Sequence, residues 1–365
     1  MKTLAQYITE VPKGRAFKPV AVFLPWVVCV ALALVVQFVA PVVVNEYWQS
    51  VLQRMGVFII AAVSLNIVNG FTGQFSMGHA GFMAIGGYIG AGVTYYGSLL
   101  MHGSVNDPSF VTQGTMLMLA GIVAGACVAA AAGYLVGLPS LRLRGDYLAI
   151  VTLGFGEIIR VVLELTPQQI TDASAVAANP VASFFHLNGA SGFIRTPPYA
   201  TLFWVWLFVA ITCVVAYRMK TSSSGRAFLS IREDEIAARA MGVDLTKYKV
   251  RAFVLAAFFG GVAGALYSHT GVNPSPTDAG FQRSFDIIIM VVLGGLGSVS
   301  GSVLAAIILV LMPELLRDLQ QYRLVLYALL LIVMMLVRPQ GLFGVKEIWD
   351  LSRGDRKQAK KGGSA

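Results

Sequence analysis

Apolar residues along this chain come in long blocks, not at the two-residue alternation of a half-buried strand. Ten stretches are continuous enough to read as membrane-spanning helices: 20–43, 51–69, 78–100, 115–138, 147–165, 199–217, 250–268, 281–297, 299–316 and 321–338. A helix needs roughly 20 apolar residues to cross the hydrocarbon core of a bilayer. The last three stretches are short and glycine-broken, so one or two of them read equally well as re-entrant segments or half-helices. The pattern predicts an all-α polytopic membrane protein of about ten transmembrane helices, some of them interrupted. Its membrane domain would cover 20–338, with a short segment at 1–19 and a basic, disordered tail at 339–365. The first apolar block is too long for the 7–15-residue core of a signal peptide and reads as a first span.

Composition agrees with this class. Hydrophobic residues make up 56% of the 365 and charged residues only 12%, where a soluble domain carries about 25%. The net charge of +9 would suit nucleic acid if the basic residues formed a patch, but they fall between the apolar blocks. Alternating the ten spans from an inside N-terminus puts 20 basic residues in 1–19, 139–146, 218–249 (with Arg251 at its edge) and 339–365. The exterior loops keep only Arg195 and Arg317. Cytoplasmic loops are the ones enriched in Lys and Arg, so both termini are expected in the cytoplasm of a bacterial inner-membrane protein. The long exterior segment 166–198 is nearly uncharged and reads either as a solvated loop or as a platform for an external partner.

Glycine organises the interior. Residues 70–92 hold eight glycines, each costing about 1 kcal/mol against alanine inside a helix. One reason for them is close helix packing through small residues spaced four apart, as in Gly86/Gly90, Gly121/Gly125, Gly133/Gly137, Gly260/Gly264 and Gly297/Gly301. The other is an interrupted helix lining a transport route, with Gln74, Ser76 and His79 as the polar lining. A second break, Gly294 to Gly301, lies in the other half of the chain.

Few ionisable residues lie inside the spans. Glu157, Arg160 and Glu164 are spaced so that Arg160 reaches both acids on one helix face. Asp286 has Arg283 one turn away, which suggests the same kind of pair. Such clusters are either structural or part of a gate. Cys29, Cys127 and Cys213 are isolated in apolar stretches, and the four histidines show no metal-ligand spacing.

The inside loop 218–249 is longer than a simple connection between helices requires. From Ser230 to Met241 it reads as a short helix, with Ser230 as N-cap, acids in the early turns and Gly242 as the stop. Ile231, Ile236, Ala238 and Met241 make an incomplete apolar face, suited to a groove on another protein or to an anionic lipid surface. The run Glu235-Ile-Ala237-Ala238-Arg-Ala-Met-Gly242 resembles the E-A-A-x-x-x-G signature of ABC-importer permeases. The chain has no G-x-x-x-x-G-K-[ST] loop with which to cradle ATP.

With the blocks Leu141–Val161, Gly225–Val243, Val291–Ser302, Pro313–Arg317 and Arg338–Leu342, the chain resembles the M-type permease subunit of the high-affinity branched-chain amino-acid ABC importer family. The resemblance runs over about 51–345. It implies an ABC-importer permease architecture that forms half of a pore with a homologous H-type permease. Two ABC ATPase subunits would carry the ATP and magnesium, and a periplasmic solute-binding protein would select the solute. It also implies an ATPase-coupling role for Glu235, Ala237, Ala238 and Gly242, with Arg232 beside them. The chain departs from the family at Thr171–Val176, where a T-G-G-x-x-G pattern is often found, which alters the expected geometry of the exterior loop. A sister importer for urea or short amides fits the same residues. A self-sufficient secondary transporter and a membrane-embedded enzyme fit less well, because no chain of acids crosses the membrane and no nucleophile–base constellation is apparent.

Overall fold

The structure is a computed structural model. It describes residues 19–103, 105, 111–140 and 146–316, and isolated positions among 322–347. The described elements are helical. The principal helices are α1 (Pro19–Val43), α2 (Glu46–Asn66), α3 (His79–His102), α4 (Val111–Ser140) and α5 (Asp146–Glu164). After two short helices, α6 (Ala173–Ala178) and α7 (Pro180–Ser183), come α8 (Leu202–Thr221), α9 (Ser223–Glu233), α10 (Glu235–Ala240), α11 (Leu245–Ser268), α12 (Phe281–Gly294) and α13 (Val299–Leu315).

Each of the first nine predicted apolar stretches holds one of these helices. The tenth, 321–338, lies outside the described residues apart from scattered positions. Among the described residues, four helical segments are long and apolar enough to cross a membrane: Glu46–Phe71, Gly114–Pro139, Leu202–Thr221 and Leu245–Ser268.

Helix α2 is apolar all round over its second half, so it belongs in the core, and every residue from Met55 to Asn66 is buried. Its last turn widens into a π turn, Ile67–Phe71. Beside it α3, α4 and α11 pack closely through glycine. A β-carbon at Gly86 would lie 2.1 Å from the Gly261 carbonyl oxygen, and one at Gly125 would lie 2.6 Å from that of Gly86. At Gly264 it would lie 1.7 Å from the Met83 oxygen. Without a driving force from water, helices in lipid gain by such backbone approach. The outward faces of α1, α4 and α5 carry large exposed apolar residues, among them Phe38, Val42, Leu135, Ile150 and Val162. A water-facing surface would not sustain so much of it.

The helices run alternately between two ends. One end gathers the π turn, the 72–78 segment, α9, α10 and the Gly295–Ser298 turn. The other gathers 166–198 and 269–280. Segment 166–198 folds onto the protein: Phe193 lies edge-on to Tyr88, Tyr95 and Tyr96, with ring centroids 5.5–6.5 Å apart. Its backbone amide donates to the Pro274 oxygen. At the departure from the family pattern, the Asp172 side chain accepts from the Ser174 amide and caps α6, so a capped helix stands there.

Candidate functional site

The site is built from the 222–242 segment and the two chain breaks it touches. Ser222 caps α9 by accepting from the Gly225 amide. The sequence suggests one helix from Ser230 to Met241, but the structure divides it. Asp234 leaves the helix (φ −157°, ψ 114°) and caps α10 by accepting from the amides of Ile236 and Ala237. Ser230 is therefore not the N-cap. Its hydroxyl donates to the Ala227 carbonyl inside α9. Asp234 is the cap because the chain leaves the helix there, where its carboxylate accepts from two amides of the next helix, whereas Ser230 lies inside α9. Gly242 follows at φ +83°, a left-handed conformation that favours glycine, and so serves as the stop.

The apolar face splits in two. Ile231 and Ala238 are 2% and 3% exposed and pack with Leu245, Val243 and Tyr248. Ile236 and Met241 are 82% and 84% exposed. Lys249 donates to the Glu235 carboxylate at 2.5 Å, tying α10 to the start of α11. The helix is thus anchored on one side and presents two large apolar residues, with Arg239 and Ala240, on the other.

At the end of α9, Arg232 reaches inward. Its Nη1 donates to the Gly70 carbonyl at 2.8 Å and the Leu296 carbonyl at 3.3 Å. Gly70 lies in the π turn and Leu296 in the turn between α12 and α13, so one side chain meets both glycine-rich breaks. Asn66 links the breaks directly, its Oδ1 accepting from the Gly297 amide and its Nδ2 donating to the Ser298 carbonyl, both at 2.9 Å.

Glu347 holds the second break from below. It is 2% exposed and accepts from the amides of Val299 and Ser300, the hydroxyls of Ser298 and Ser300, and Lys220 Nζ. Burial alone would raise its pKa. The bonds from Lys220, the Ser300 hydroxyl and the two amides outweigh burial and hold it below the ordinary glutamate value. The tail expected to be disordered thus contributes packed positions: besides Glu347, Leu342 donates its amide to the Leu293 carbonyl.

Gln74, Ser76 and His79 lie on the 72–79 segment, each buried in protein, and Ser76 and His79 meet different neighbours. Asn69 Oδ1 accepts from the Ser76 amide at 3.1 Å, and His79 Nε2 lies 2.7 Å from Ser64 Oγ. Gln74 Oε1 has no hydrogen-bond partner among the described residues. Thr152 Oγ1 on α5 accepts from the Met77 amide.

At the other end Arg160 bonds both Glu157 (2.7 Å) and Glu164 (2.6 Å). Glu157 also accepts from the Phe281 amide at the start of α12, so the cluster joins α5 to α12. Asp286 does not take Arg283 in the expected pair. Arg283 turns back to Asp278 at 2.5 Å, because Asp278 is fixed in the 3₁₀ turn Pro276–Ala279 by the Ser275 amide, and lies over the Phe58 and Tyr267 rings. Asn66, Lys220 and Glu347 were not singled out from the sequence. An asparagine within an otherwise apolar span was the signal available for Asn66. The Ser-Val-Ser start of α13, a helix whose first turn lacks an acid, was the signal for Glu347.

A buried glycine-packed bundle with lipid-suited outer faces defines a multi-pass membrane protein. The profile described as "Branched-chain amino acid transport system / permease component" matches residues 47–337, and the chain belongs to that family. It is 36% identical over 330 residues to the high-affinity branched-chain amino acid transport system permease protein LivM of Salmonella typhimurium, covering 85% of this chain and 73% of that protein. The LivM of Escherichia coli K12 gives the same figures. The LivH permease of E. coli K12 is 25% identical over 80% of this chain and 92% of its own length. No solved structure matches.

Proposed function

We propose that this chain is the M-type half of the translocation pathway of an ATP-driven importer for branched-chain amino acids. The observation that carries the reading is α10, anchored through Ala238 and Glu235 while Ile236 and Met241 stand in the open. An exposed apolar pair on a short, rigidly held helix suits a groove on another protein, and its position in the E-A-A-x-x-x-G run points to the ATPase as that protein. Relatives named as LivM and LivH supply the solute class and a sister permease as partner.

In this reading ten spans alternate across the inner membrane of a bacterium. The α9–α10 end faces the cytoplasm, in keeping with the 20-to-2 distribution of basic residues. Two ATPases bind ATP and magnesium beneath the permease pair, and a binding protein delivers solute to the opposite end. The coupling residues are Glu235, Ala237, Ala238 and Gly242.

Copurification of the tagged chain from its native membrane tests the assembly: a sister permease and ATPases should accompany it, and their absence would sink the reading. Calorimetry on the binding protein that copurifies separates branched-chain amino acids from urea or short amides. Replacing Glu235 by Ala, or Gly242 by Val, should abolish solute-stimulated ATP hydrolysis in proteoliposomes with membrane insertion intact. Full stimulation in both variants would refute the coupling assignment.

A further inference from the structure

We propose that Arg232 is a positioning residue that transmits movement of the α9–α10 pair into both glycine breaks of the membrane domain. The inference rests on the reading of α10 as the ATPase-docking helix and assigns the path beyond it.

The argument begins with the carbonyls. Gly70 lies in the last turn of a helix, where C=O groups have no partner within the helix. Leu296 lies in a turn between two helices. Both oxygens are set in a crowded interior, and the Nη1 of Arg232 serves both. A guanidinium also suits the negative end of the α2 dipole, and its planar fork offers two hydrogens on one nitrogen.

The backbone is shaped to admit this side chain. Gly73 takes φ +69°, and a β-carbon there would lie 3.1 Å from Arg232 Cγ. Gly297 takes φ +89°, and a β-carbon there would lie 2.8 Å from Nη1. Two left-handed glycines, one in each break, thus leave the arginine its berth.

The outer end of the path is equally defined. Arg232 stands two residues before Asp234, the cap of α10. Ile231 and Ala238 hold α9 and α10 in one cluster with Leu245, so a push on Ile236 or Met241 moves α9 with α10. The two carbonyls then follow or lose their donor. Asn66 couples the breaks to each other, so both respond to one input.

The test uses the full complex reconstituted with its ATPases and binding protein, comparing Arg232→Met, Arg232→Lys and the unchanged chain. The readout is solute taken up per ATP hydrolysed. We expect the ratio to fall on the order of 10-fold in Arg232→Met, with an intermediate value in Arg232→Lys, whose compact ammonium keeps the charge. A role confined to stability would lower the yield of complex, and uptake and hydrolysis in parallel, leaving the ratio unchanged. An unchanged ratio in Arg232→Met overturns the proposal. If that variant does not assemble, Arg232→Lys decides: a reduced ratio supports the proposal and an unchanged one overturns it. Failure of the unchanged chain to copurify with an ATPase defeats the docking reading itself, a result distinct from a variant that couples normally.

Discussion

Two glycine-rich regions of this molecule use the same residue for opposite ends. Where α3, α4 and α11 meet, glycines such as Gly86, Gly125, Gly261 and Gly264 keep ordinary helical backbone and contribute only the absence of a side chain, so backbone lies on backbone. At the breaks, Gly73, Gly295 and Gly297 take φ of +69°, +104° and +89°. There the chain leaves the helix and is pinned by polar side chains: Arg232, Asn66 and Glu347. The first region is held mainly by backbone contact, with a side-chain bond across it between His269 Nε2 and Thr94 Oγ1, and has no alternative arrangement at low cost. The second adds to its own close contacts, such as Gly294 against Gly301, a handful of directional bonds, each of which has a donor or acceptor that can be withdrawn. The difference teaches where such a permease is rigid and where it can bend.

The comparison is broken most severely in the first region. Gly264→Ala forces a methyl into the Met83 carbonyl and should cost about 3 kcal/mol or more. Loss of folded protein from the membrane, by detergent-extracted size-exclusion profile, is the expected result, and a normal profile would show that the bundle yields.

In the second region, Glu347→Gln should keep the fold and loosen the α13 start, at about 1–3 kcal/mol for weakened charge-assisted bonds. The same carboxylate gives a pH signature. Its folded pKa lies below the unfolded value of about 4.3, so its stabilisation is complete above that value and disappears as pH falls through the folded one. Thermal midpoints measured from neutral pH down to about 3 should show an acid-side decline that is shallower in Glu347→Gln; equal slopes would mean that Glu347 titrates normally.

The smallest effect sharpens the contrast from outside both regions. A β-carbon added at Gly154 on α5 would meet nothing within 4 Å, so Gly154→Ala should stabilise by up to about 1 kcal/mol, read as a small rise in thermal midpoint. A fall would indicate that this exposed face is covered in the membrane.

Much of this was legible because hydrophobic blocks are a local signal. The 78–100 stretch became α3 at 79–102, and 199–217 became α8 at 202–221. The short, glycine-broken stretches 281–297 and 299–316 became α12 and α13 with a turn at Gly295–Ser298. The close packing at Gly86, Gly90, Gly121 and Gly125 followed from their spacing. What escaped was non-local or a competition between neighbours. Glu347 caps a helix that starts 48 positions earlier in the chain. Arg283 had two acids within reach and took Asp278, the one already fixed in a turn. Ser230 and Asp234 are both residue types that cap helices, and only the break between α9 and α10 decides for the aspartate.

That break has a consequence for how such importers diversify. Because Asp234 starts a fresh helix of six residues, the outward side chains at 236, 239, 240 and 241 are free to be rewritten without touching Ala238 or Arg232. On the docking role proposed for α10, a lineage could therefore trade one motor for another by altering a few surface letters while keeping the contacts of Ala238 and Arg232 unchanged.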